Sequence, residues 1–135
     1  MTNVVPMFRP LQVALLADAA ASGASAALLV TGAGFLESWL GLPVALMREV
    51  GFVLIPYVIL VAFMASRRTA SVRVVNTIIA INMAWMAASF LLLMSGWVAP
   101  TVLGIVFVLA QGFAVGAFGF IQYVCLRRVN VITTA

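Results

Sequence analysis

The chain has no histidine and no lysine, one cysteine, Cys125, and only three acidic residues, Asp18, Glu37 and Glu49, among its 135 residues. Without histidine there is no imidazole for a haem ligand, for a mixed histidine and cysteine zinc site, or for a serine or cysteine triad. A single cysteine closes no disulfide within the chain, and Cys125 reads as a small apolar packing residue. Charged residues are scarce at 7%, against 66% hydrophobic and a mean hydropathy of +1.27. Those proportions belong to the membrane class, not the globular one. The net charge of +4 comes from seven arginines. In so apolar a chain it reads as loop charge that sets topology, with no nucleic-acid partner. No enzymatic activity, cofactor or metal is expected.

What is present is four apolar stretches, each of roughly the 20 residues that a bilayer span requires. They predict a single domain over residues 1–135: an all-α membrane protein with four transmembrane helices in a compact bundle. The helices are placed at Leu11 to Gly34, Pro43 to Ser66, Val74 to Met94 and Val102 to Leu126. The two prolines in MTNVVPMFRP make residues 1–10 a non-helical lead-in. Gly32-Ala33-Gly34 is read as ending the first helix, and Pro43 as opening the second. Pro56 should kink the second and free the carbonyl of Phe52. Arg127 and Arg128 should stop the fourth at the membrane surface, leaving Val129 to Ala135 as a tail. Arg9 before an apolar run, with Ala24-Ser25-Ala26 beyond it, has the outline of a signal peptide. Because Asp18 interrupts that run and apolarity continues to Phe35, the segment is read as a retained span.

Orientation follows from the arginines. Arg9, Arg67, Arg68, Arg73, Arg127 and Arg128 fall on one side of a four-span topology, with only Arg48 near the other. The positive-inside rule makes that side cytoplasmic, with both termini on the cytoplasmic face of what is read as a bacterial inner membrane. Trp39 and Trp97 suit the opposite headgroup level.

The organising stretch is Leu15 to Leu29, LLADAAASGASAALL, because an ionisable group in a span is costly and by default marks function. Ser22 and Ser25 follow Asp18 at helical spacings on one face, among alanines and a glycine that suit close helix packing. Laying Asp18 to Gly32 over Asn82 to Gly96 pairs Asp18 with Asn82, Ser25 with Ser89 and Gly32 with Gly96 without a gap. This suggests an internal repeat of two tandem parallel helical hairpins related by an axis along the membrane normal. Asp18 and Asn82 then lie about 10 to 12 Å from the cytoplasmic ends of their helices, with Gln122 somewhat shallower. The proposed proton or ligand site is Asp18, Asn82, Ser22 and Gln122. A second, outer polar layer gathers Arg48, Glu49, Gln111, Ser25 and Ser89, the two charged residues reading more as surface groups. Gly112, Gly116 and Gly119 form a close-packing face on the fourth helix.

In outline, with four helices, Asp18 in the first and Trp85 in the third, the chain resembles the small multidrug resistance transporters. The likeness covers topology and no extended motif, and this chain differs from them in having Asp for Glu and arginines on one side. Two functions are expected to compete. One is non-enzymatic binding or transport of a small solute, ion or lipophilic ligand with Asp18 as a titratable site. The other is an accessory or scaffold subunit. Since four helices enclose little volume, a homo-oligomer or a larger membrane complex is expected, with the lipid bilayer as the surrounding partner.

Overall fold

The computed structural model describes residues 3–134, with side chains through residue 129. Met1, Thr2 and Ala135, at the ends of the expected lead-in and tail, lie outside the described residues. In chain order the elements are β1 (Val4–Pro6), α1 (Arg9–Leu40), α2 (Val44–Ala65), β2 (Thr69–Ser71), α3 (Val72–Met94) and α4 (Val102–Thr134). All four helices are long and apolar enough to cross a membrane, which makes this an integral membrane protein.

Several helix ends differ from expectation. Helix α1 starts at Arg9, with Pro10 in its first turn, and runs through Gly32-Ala33-Gly34 to Leu40. A helical glycine costs only about 1 kcal/mol, too little to end a helix where no water competes for the backbone. The end comes at Gly41, whose left-handed φ of 67° is a glycine conformation and whose N–H donates to the Glu37 carbonyl at 2.9 Å. Pro43 flanks α2 instead of opening it, and α2 continues through Pro56. Helix α4 passes Arg127 and Arg128 and reaches Thr134. Arginine favours helix, so these charges do not end the element.

The lead-in is a strand. β1 pairs antiparallel with β2 in the register Val4↔Ser71, Val5↔Ala70 and Pro6↔Thr69. Bonds from Met7 N–H to the Arg68 carbonyl and from Val72 N–H to the Asn3 carbonyl, both 2.9 Å, extend the ribbon. Val5, Ala70, Leu11 and Val129 share one apolar cluster, so the N-terminus, the α2–β2 connection and the far part of α4 meet at one end of the molecule. All six arginines expected on one side are exposed at this end. A second cluster, with Leu40, Leu42, Met47 and Val108, closes the other end. There Thr101 caps α4 by accepting from Gly104 N–H at 3.1 Å, and its hydroxyl donates to the Trp39 carbonyl at 2.6 Å.

Helix α1 packs along α2 and α4, and α3 along α4, whereas α2 and α3 hardly meet. The helices therefore stand in the spatial order α2, α1, α4, α3, with an opening between the outer two. Two equivalent hairpins would make the α1–α4 and α2–α3 contacts alike. The packing gives the duplication no support at that level.

Candidate functional site

Asp18 is fully buried, and one residue from each of the other three helices reaches it. Its Oδ2 accepts from the Tyr57 hydroxyl at 2.7 Å, from Asn82 Nδ2 at 3.0 Å and from Gln122 Nε2 at 2.8 Å. Its Oδ1 accepts from Ser22 Oγ, one turn along α1, at 3.1 Å. Asn82 Nδ2 also donates to Gln122 Oε1 at 3.1 Å. The four residues read from the sequence as one site are thus brought together. Gln122 lies in the same layer as Asp18, where a shallower position was expected.

No cation faces this carboxylate among the described residues. It is held by two hydroxyls and two amides, and Tyr57 is the one other titratable group in contact with it. The Tyr57 hydroxyl lies 2.7 Å from both Asp18 Oδ2 and Asn82 Oδ1. A phenol has one proton to donate, so two arrangements fit the geometry. With Asp18 ionised, Tyr57 donates to the carboxylate. With Asp18 protonated, Asp18 donates to Tyr57 and Tyr57 turns its proton to Asn82 Oδ1. The Tyr57 hydroxyl is therefore poised between Asp18 and Asn82, with one proton for two acceptors.

Tyr57 was not among the residues singled out from the sequence. The signal was its depth: tyrosine usually sits at membrane interfaces, and a phenol in mid-span needs a partner for its hydroxyl.

Tyr57, Ser22 and Asn82 also line a cleft of about 610 Å³ that occupies the opening between α2 and α3. Its floor is α1 and α4, where Ala21 and Ala114 are exposed into it. The small residues of α1 at this level make room; they do not only bring backbones together. A cavity of this size lies in the range of small-molecule sites, and it belongs to a single chain. The single chain therefore forms this open cleft without a second copy.

The outer polar layer is divided. Trp85 Nε1 donates to Gln111 Oε1 at 3.0 Å, and Gln111 Nε2 donates to Ser89 Oγ at 2.7 Å, all beside the cleft. Ser25 lines the same space. Arg48 and Glu49, by contrast, are exposed and apart from this group. Adjacent helical residues point about 100° apart, so the apolar turn that faces Met47 inward turns both charges outward. Gly112, Gly116 and Gly119 are buried against Ser89, Met86 and Met83 of α3. This face packs within the chain and is not open to a partner.

Compared with known proteins, the chain matches no family model, no curated protein and no solved structure.

Proposed function

We propose that this is a non-enzymatic protein of a bacterial inner membrane that binds or transports a small ligand in its cleft, with Asp18 as a proton site coupled to that ligand. The observation that carries the reading is the position of Tyr57. Its hydroxyl touches the buried carboxylate, and the same residue lines the cleft. A proton taken up by Asp18 reorients a group that an occupant of the cleft can sense, and by linkage an occupant changes how readily Asp18 holds its proton. Both termini and the arginine-rich end face the cytoplasm in this proposal, because that end carries nearly all the positive charge. A larger assembly is compatible with it, but the α4 glycines are not its contact.

Asp18 is the sole aspartate of the chain, so aspartate labelled with ¹³C at the side-chain carboxyl gives one resonance in the protein reconstituted in lipid. The resonance should move between the shifts of a carboxylic acid and a carboxylate as pH is varied over the range where the fold persists. A resonance that stays fixed throughout that range removes Asp18 as a proton site and leaves an accessory-subunit role as the better account.

A further inference from the structure

The ligand reading above leaves open the kind of molecule the cleft takes. A second cavity of about 310 Å³ continues from the first toward Leu42 and Met47, and the two share Ser25, Leu54, Trp85, Ala88 and Gln111. From Leu60 to Met47 along α2 the combined space runs about 20 Å on the helical rise. It suits an elongated occupant.

Its mouth lies at mid-span. Val53 and Pro56 on α2, with Ile81, Ala84 and Ala88 on α3, are exposed where the two helices part. Most lining side chains are aliphatic or aromatic. A molecule therefore reaches this space sideways from the hydrocarbon of the bilayer, not from water.

The polar groups define the head of that molecule. No charged side chain lines either cavity, and Asp18 is sealed behind Tyr57, Asn82 and Ser22. A phosphate, carboxylate or ammonium head would stand in a low-dielectric space without a counter-charge. The lining polar groups Ser22, Tyr57, Asn82, Trp85, Ser89 and Gln111 have partners within the protein. Ser25 has none among the described residues, yet it lines both cavities where they join. A hydroxyl in an apolar space without a partner is costly, and a ligand's hydroxyl, carbonyl or ether oxygen can satisfy it.

We propose that the α2–α3 cleft is a lateral binding site for a lipid-soluble molecule with one extended apolar chain and one uncharged hydrogen-bonding head, and that Ser25 binds the head. This rests on the ligand-binding reading but not on titration of Asp18.

The test is photolabelling of the full chain in lipid nanodiscs with a diazirine-bearing long-chain alcohol, using the matching fatty acid and a diazirine phospholipid as comparisons. At neutral pH the alcohol should label cleft residues such as Val53 and Ile81, well above both comparisons. Ala88→Phe, which fills the junction of the cavities from an exposed position, should abolish that labelling while thermal unfolding is unchanged. Ser25→Ala should weaken the alcohol's apparent affinity about two- to tenfold, since it removes one hydrogen bond. Equal labelling by the phospholipid would mean lipid tails in a passive groove, and preferred labelling by the acid would mean an anion site. Either result overturns the proposal, as does alcohol labelling that Ala88→Phe leaves intact. If the alcohol fails while the Asp18 resonance still titrates, only the ligand class is lost. If the alcohol labels while the resonance is fixed, only the proton coupling is lost.

Discussion

At the scale of single residues, Asp18 and Tyr57 carry different burdens. Asp18→Asn places an amide oxygen where Tyr57, Asn82 and Gln122 donate, while the amide NH2 can donate to Ser22. This variant should fold with a stability within about 1 kcal/mol of the parent. Asp18→Ala leaves several buried donors without an acceptor, each costing about 1 to 3 kcal/mol, and should unfold at much lower temperature or fail to accumulate. Thermal unfolding in mild detergent separates the two, and equal stability of the alanine variant would show that the carboxylate does not hold the helices. Tyr57→Phe keeps the ring but removes the hydroxyl shared by Asp18 Oδ2 and Asn82 Oδ1, so a loss of about 1 to 2 kcal/mol is expected in the same assay. Much of this site was legible in the sequence. A lone carboxylate in a span, a serine one turn on and amides in two other spans are rare enough to be noticed. Tyr57 was not, because an aromatic residue in an apolar helix looks like packing until its depth is known. Arg48 and Glu49 were grouped with the outer layer by depth alone, and depth does not say which way a side chain points.

At the scale of the elements, the number and type of helices follow from hydropathy, and their ends do not. Gly32 and Gly34 sit inside α1, and an ideal Cβ on Gly34 would meet nothing within 4 Å. Gly34→Ala should therefore be neutral or stabilising by up to about 1 kcal/mol. Gly104 is the opposite case and carried no sequence signal, since the close approach it permits is to a distant segment. A Cβ there would strike the Leu40 carbonyl, where the end of α1 meets the start of α4. Gly104→Ala should cost about 1 to 3 kcal/mol or more, because a backbone group cannot move aside as a side chain can. If denaturation midpoints rank Gly34→Ala below Gly104→Ala, the contact between Leu40 and Gly104 is wrongly placed. The ribbon of β1 and β2 escaped notice for a related reason: a strand of three residues is too short for a period-two pattern, and only its pairing reveals it.

At the scale of the whole molecule, the departure from symmetry is what creates the cleft. Four equal contacts around a bundle would leave no opening, whereas here α1 is wedged between α2 and α4 and the outer pair part. The ends of the molecule are also unlike, with arginines and the ribbon at one and the exposed Trp39 and Trp97 at the other. Single cysteines introduced beside Arg68 in a Cys125→Ala background should react with an impermeant reagent only from the cytoplasm, and cysteines beside Trp97 only from the opposite side. Reaction of both from one side would reject four spans. The central claim is that the buried carboxylate and the open cleft are one device joined by Tyr57. The ¹³C resonance of Asp18, titrated in nanodiscs with and without saturating long-chain alcohol, tests this directly. Linkage predicts a displaced midpoint when the alcohol is bound, and a displacement that vanishes in Tyr57→Phe. Identical titrations with and without bound alcohol would contradict it.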